Sequence, residues 1–458
     1  MSKLSTIFLL IFLSTTVNSF PQQKAEIIVR TDIPANANID RKMFGAFFEF
    51  LWNEMNGSKG MYAQEIMYRG FDRGSCYESG VACGWLMWVN SINVDYRQVS
   101  GGFNKRGNFS QKIAKTDSIP AGICQEIWLT DTVAHNFYIH MKGSLTSGEV
   151  YLGILDENKK ELLFKRELGV PENEWKKFEI EMEPLPGIHH GYLVIFFEYP
   201  GEIYLDEISL IPLNHVGGMR IEYYEQFKKW RPGIIRYPGG CFADLDASHW
   251  EYGVGDIDQR TSPNLDWESK YQRMDFGTDE FLRFCKRLDI EPHICVNYGS
   301  GSAEEAAAWV EYCNGPANSK YGSIRAANGH PEPYDVKYWE IGNEQYGWWS
   351  IGYGPADKYA RRYLEYYKKM KEADPTISII TNGSLWRGYS YFDSIMTIIG
   401  DKCRSYGWHH GHGYAIPEDR PPHSNDELFL SFMCANLTIE KSTKNMAAWL
   451  MERGLHDI

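Results

Sequence analysis

Val336-Lys337-Tyr338-Trp339-Glu340-Ile341-Gly342-Asn343-Glu344-Gln345-Tyr346 decides how the rest of the chain is read. Its first half, Val336 to Ile341, is an apolar and aromatic run with the length and composition of a buried strand. Gly342-Asn343-Glu344 follows, and a loop begins there. In (β/α)8 barrels chemistry sits on the loops after the strands. A carboxylate at a strand end beside a side-chain amide suits a sugar, with Asn343 bonding a hydroxyl and Glu344 protonating a glycosidic oxygen. A Gly-Asn turn followed by a solvated Glu fits the tripeptide as well, so the flanks must separate the two readings.

Helix and strand alternate around this stretch, as βα units do. The pattern predicts barrel strands at 43–50, 233–237, 292–297, 336–342, 377–381 and 403–408. Helices are predicted at 221–230, 279–288, 303–313, 356–373, 391–399 and 443–453, the last ended by Gly454 in the C-cap position. Residues 455–458 begin what should be a seventh strand. Residues 25–30 form a short strand candidate ahead of the barrel.

Between 72 and 213 the texture changes. Short alternating runs at 134–142, 149–155, 175–182, 192–198 and 203–211 are separated by Gly, Asn, Asp and Pro, which predicts an antiparallel sandwich with its own core. Such a unit is expected to fold by itself. Trp128 and Trp175 are candidate sugar platforms, but single tryptophans in a sandwich are read first as core. The domain organisation expected is 1–19 signal peptide, 20–71 N-terminal strand and first barrel strand, 72–213 jelly-roll domain, and 214–458 barrel, ending before the seventh strand.

The 458 residues suit a barrel plus one further domain. A net charge of −13 argues against a nucleic-acid or anionic-membrane partner. The 15 Trp and 29 Tyr suit a protein that stacks rings on sugars, and equally a large core. Met1–Ser19 reads as a secretory signal, with Lys3, an apolar run over 7–13 and Val17-Asn18-Ser19 as a cleavage site, so the protein is expected to be secreted or periplasmic. Nine Cys is too sparse for a disulfide scaffold, with Cys76–Cys83 and Cys403–Cys434 as possible pairs. No Cys/His group has zinc-site spacing. His409, His410 and His412 invite a metal reading only if a fourth ligand lies nearby.

The flanks resemble the α-L-arabinofuranosidases of glycoside hydrolase family 51. The resemblance is carried by Tyr312-Cys313-Asn314-Gly315, Tyr321-Gly322-Ser323, Arg325-Ala326-Ala327-Asn328-Gly329 and the stretch from Val336 to Glu344. Ile235-Arg236-Tyr237-Pro238-Gly239-Gly240-Cys241-Phe242 is similar to the family's second-strand signature, and Met61 through Phe71 to the segment after its first strand. Gly201-Glu202-Ile203-Tyr204-Leu205-Asp206-Glu207-Ile208 resembles the closing strand of jelly-roll carbohydrate-binding modules, which some members carry inserted after the first barrel strand. The resemblance implies an α/β fold, a (β/α)8 TIM barrel of which about six strands are present, with an inserted all-β sandwich.

It further implies a retaining exo-glycosidase acting on terminal α-L-arabinofuranosyl residues of arabinan, arabinoxylan or related polysaccharides, with no metal or organic cofactor. Family members are often oligomeric. Glu344 matches the acid/base, Glu49 a ligand of sugar hydroxyls, and His410 and Tyr414 the residues that line the sugar pocket and orient the nucleophile. Cys241 follows the Pro-Gly-Gly turn and is expected either to look into the cleft or to pack as a small apolar residue. Asn297 at the third strand end either bonds a hydroxyl or caps its loop.

Retaining hydrolysis needs two carboxyls roughly 5–5.5 Å apart, and Glu344 is expected to have its pKa raised by burial or by the second carboxylate. Glu340 lies four residues before Glu344, roughly 13 Å along a strand, too far to serve. It is expected to be an interior carboxylate held by a cation, Arg236 being the candidate. The nucleophile is expected at the end of the seventh strand, so the sequence is read as C-terminally truncated and inactive as given. A β-sandwich is expected beyond the barrel. The alternatives are another retaining glycosidase on the same barrel, endoglucanase-like, or a catalytically silent carbohydrate-binding protein.

Overall fold

Six parallel strands make the central sheet, in the order Gly45–Phe47, Ile234–Tyr237, Glu291–Val296, Tyr338–Ile341, Ser378–Gly383 and Ser405–Trp408. Spatial order follows chain order, every neighbouring pair is parallel, and helices fill the connections from the second strand onward. This is the winding of a (β/α)8 barrel. The computed structural model describes residues 39–50, 60–72, 80–264, 271–383, 389–409 and 424–455. The predicted signal peptide, the strand at 25–30, Cys76, His410, Tyr414 and residues 456–458 lie outside them.

The fourth strand shows how its sequence divides between two faces. Trp339 and Ile341 are buried in the layer beneath the helices, and the Trp339 ring meets Trp309 of helix Ala303–Asn314 edge-on at 6.0 Å. Glu340, between them, points into the barrel. The helices supply the complementary face, as in Thr278–Leu288, which buries Phe281, Leu282, Phe284 and Cys285.

The last described helix, Asn425–Glu452, is much longer than the predicted 443–453. Ser424 and Glu427 form a reciprocal capping box at its start. At its end the Gly454 N–H bonds the Met451 carbonyl and the Leu455 N–H bonds that of Leu450, with Gly454 at φ +69°. Those two bonds make a Schellman motif, the reason a glycine stands there. Helix Lys320–Ala327 was not anticipated. Gly322 and Ser323 weaken its intrinsic signal, and the structure offsets this by burying Arg325 as a donor to the carbonyls of Tyr312, Gly315 and His330.

The alternating region forms two five-stranded antiparallel sheets. One orders Leu86–Met87, Ala121–Trp128, His190–Phe197, Val150–Leu155 and Leu162–Gly169; the other orders Val94–Ser100, Phe109–Lys115, Gly201–Pro212, His135–Leu145 and Lys176–Met182. Their inward residues, among them Ile123, Phe137, Leu152, Ile195 and Leu205, pack as one core. Trp128 is not part of it, contrary to the core reading: it is 46% exposed and stacks on His190 at 4.0 Å. Trp175 is half-buried under the Lys142 ammonium. Cys403 carries a free, buried thiol, so the Cys403–Cys434 pairing is not formed, whereas Cys83 is disulfide-bonded.

Sandwich and barrel share a buried ionic seam. Arg69 lies 2.8 Å from Asp258, 2.7 Å from Glu207 and 3.3 Å from Asp275. Arg273 reaches Glu207 at 2.7 Å and Asp275 at 3.0 Å. From the sandwich, Tyr138 donates to Asp258 at 2.7 Å and His140 sits 2.9 Å from its other oxygen. Glu207 occupies a bulge in its strand at φ +48°, which aims its carboxylate between the two arginines. Residues 41–458 accordingly group as one compact unit.

Candidate active site

The barrel mouth is built from the ends of the first four strands and the sixth. After the second strand comes Pro238-Gly239-Gly240. Gly239 has φ +129°, and a Cβ there would lie 2.4 Å from Glu49 Cβ and 2.6 Å from Glu49 Cα. Only glycine lets the two backbones approach so closely, and that approach brings Glu49 Oε1 to the Phe242 N–H at 2.9 Å. Burial pushes the Glu49 carboxyl up, opposed by that N–H and by Arg236, while the nearby Glu344 charge pushes the same way as burial.

Asp244, which the sequence reading missed, fastens three loops together. Its carboxylate accepts from the Tyr298 and Gly299 N–H groups at 2.9 Å each, the Asn343 N–H at 2.8 Å and the Gln345 amide at 2.5 Å. Burial lifts it to about 6 against these four donors. Asn297 caps its loop in this structure. Its amide donates to the Leu245 carbonyl and the Ser300 hydroxyl, and its oxygen accepts from the Ser300 and Gly301 N–H groups. Its hydrogen-bonding capacity is thereby used within the loop.

Asn343 is buried, accepts from Arg236 at 3.1 Å, and directs its amide to the Cys241 sulfur at 3.7 Å. Cys241 is half-buried at the same cleft. Burial, then the charges of Glu344 and Glu49, push its thiol up to about 11, so it stays protonated. Arg236 also bonds Glu340 at 2.7 Å, as expected from the sequence, and His293 approaches the same carboxylate at 3.2 Å. Burial opposes the Glu340 charge, but Arg236, His293 and His409 outweigh it and hold the carboxyl well below the usual range.

Glu344 stands at φ +58°, a left-handed conformation that costs a non-glycine residue about 1–3 kcal/mol. Its Oε1 accepts from the Tyr346 hydroxyl at 3.0 Å and lies 3.0 Å from His409 Nδ1, and its Oε2 accepts from the Trp349 indole at 2.6 Å. Burial favours the protonated form, but these donors win and hold the carboxyl down to about 2. The expected rise is therefore reversed in this structure, because three donors converge on the charged form.

His409, not anticipated as a partner, bridges the two glutamates, with Nε2 3.7 Å from Glu340. Burial works against its charge, yet Glu340 and Glu344 raise the imidazolium to about 9. The Glu344 carboxylate and the His409 imidazolium, 3.0 Å apart, thus stabilise each other's charged forms.

Glu344, depressed below 4.5, stabilises above that pH and loses its contribution as pH falls to about 2; His409, raised above 6.5, stabilises below that pH and loses its contribution as pH rises through about 9. His409→Asn is expected to move the Glu344 titration upward from about 2 toward the ordinary 4.5. An NMR titration of the labelled carboxyl reads this, and an unmoved midpoint would refute the pairing.

Residues 226–419 match the family model described as the alpha-L-arabinofuranosidase 1 domain. Alpha-L-arabinofuranosidase C of Emericella nidulans is 42% identical over 173 residues, 38% of this chain and 34% of that protein. The intracellular exo-alpha-(1->5)-L-arabinofuranosidase 1 of Bacillus subtilis is 38% identical over 176 residues, 38% of this chain and 35% of that protein. The chain thus matches about a third of the length of these curated relatives. The arabinose-bound MgGH51 α-L-arabinofuranosidase structure aligns with a TM-score of 0.67 over 81% of this chain and 62% of that one, at 19% identity, a likeness of fold. The matched segment spans the barrel from its second strand to its sixth, so this part of the chain is similar to the alpha-L-arabinofuranosidase 1 domain.

Proposed function

We propose that the protein removes terminal α-L-arabinofuranosyl units from arabinan, arabinoxylan or related plant polysaccharides with net retention. The observation that carries this reading is the Glu344 carboxylate at the end of the fourth strand, beside Asn343 and held by His409, Trp349 and Tyr346. In this scheme Glu344 is the acid/base, and Glu49, Asn343 and Cys241 line the sugar side of the cleft. Glu340 is committed to Arg236 and the two histidines and is not the nucleophile. The test is hydrolysis by the full-length protein of 4-nitrophenyl α-L-arabinofuranoside against cellulose-type polymers. Turnover of the polymers alone would replace this reading with an endoglucanase-like one.

Two further assignments accompany it. The sandwich contacts the polysaccharide through the exposed, His190-stacked Trp128, which affinity electrophoresis on arabinoxylan tests by retardation or its absence. The protein is exported, with a mature N-terminus near Phe20. N-terminal sequencing that still reads Met1 would exclude this.

A further inference from the structure

The loop after Glu344 closes on itself. The Gly347 N–H bonds the Glu344 carbonyl at 2.7 Å, the Ser350 N–H that of Gly347 at 3.1 Å, the Tyr353 N–H that of Ser350 at 3.1 Å, and the Gly354 N–H that of Gln345 at 3.3 Å. At its base Gln345 bonds Asp244. The Trp349 ring folds back over Gly347, where a Cβ would lie 2.4 Å from two ring carbons, and so reaches the acid carboxylate with its N–H. On this tied-down loop Trp348 is 74% exposed, with Trp349 at 41% and Tyr353 at 43%. The Trp348 and Trp349 rings meet at 5.9 Å and 80°. A large aromatic surface held out in water by a loop this constrained marks a contact surface.

Its position names the contact. The inner side of the cleft around Glu344 is taken by Glu49, Cys241 and Asn343. Trp349 of the same loop bonds the Glu344 carboxylate at 2.6 Å, so on the acid/base reading a departing group on the solvent side of that carboxyl meets the loop's exposed rings. We propose that Trp348 is a platform for the leaving-group sugar. Its indole stacks on the C–H face of the first pentose or hexose ring beyond the scissile bond, and it thereby favours oligomeric and polymeric substrates over small arabinosides. This rests on the acid/base reading of Glu344.

The test compares Trp348→Ala and Trp348→Phe with the full-length wild type on α-1,5-arabinotriose and on α-L-arabinofuranosyl fluoride, whose leaving group has no ring. The alanine variant is expected to lose about tenfold in kcat/KM on the triose, the phenylalanine variant to recover most of it, and both to hydrolyse the fluoride like wild type. An unchanged triose rate overturns the proposal. An equal loss on the fluoride also overturns it, since Trp348 would then act through the loop on Glu344. Wild-type protein inert on both substrates would instead remove the acid/base reading itself, and this proposal with it.

Discussion

On the proposed acid/base role, Glu344→Gln is expected to lower hydrolysis of natural arabinosides by about 10²–10⁴-fold and to leave the fold intact. Glutamine is nearly isosteric and tolerates the same left-handed backbone, and its amide oxygen still accepts from one side of the cleft. His409 keeps Glu340 as a partner, so no buried charge is stranded. What disappears, on the proposed role, is the carboxyl that gives a proton to the leaving oxygen. The loss is therefore graded by leaving group: large for an alkoxide of a sugar, small for nitrophenolate or fluoride, which depart with little protonation. Circular dichroism and arabinose binding should match wild type. Equal losses on aryl and natural substrates, or none on either, would remove Glu344 from the acid/base role.

The framework of this site was legible because its signals are local. Val336 to Ile341 announces a buried strand by composition, Gly342-Asn343-Glu344 ends it, and periodicity places the helices on either side. The Arg236–Glu340 pair was also legible, since an interior carboxylate on one strand requires a cation from another. Asp244 and His409 were not. Asp244 lies among apolar residues after a Pro-Gly-Gly turn, where one sequence cannot distinguish a turn Asp from one that receives four donors across three loops. His409 is one of three closely spaced histidines, and which of them faces Glu344 is set by where the sixth strand ends. The sign of the Glu344 shift escaped for a related reason. It depends on Trp349 and Tyr346 folding back from the following loop, and spacing alone does not show direction.

The sandwich strands were legible by alternation, but alternation reports an inner core and says nothing of an outer face that packs on another domain. Arg69→Met is expected to cost about 3–5 kcal/mol, the range for breaking a buried ion pair from one side. Glu207, Asp258 and Asp275 are three buried carboxylates facing two arginines. Removing Arg69 leaves one cation for all three and leaves Asp258 with only Tyr138 and His140.

The cost carries a pH signature. Burial opposes the Asp258 charge, but Arg69, His140 and Tyr138 hold its carboxyl well below 3.8. That depression stabilises the fold above pH 3.8 and is lost as pH falls below it. The wild-type advantage over Arg69→Met is therefore full at pH 7 and shrinks in melts below pH 4. The same seam predicts that residues 72–213 excised alone do not melt cooperatively. They keep Glu207, Tyr138 and His140 but lose Arg69, Arg273 and Asp258, and gain an exposed face built for burial. Asp72, which burial and the Glu207 charge lift to about 7 even with Arg273 nearby, would lose that arginine too. A cooperative melt of the excised segment, together with a loss under about 1 kcal/mol for Arg69→Met, would show that the seam contributes little and that the sandwich stands by itself.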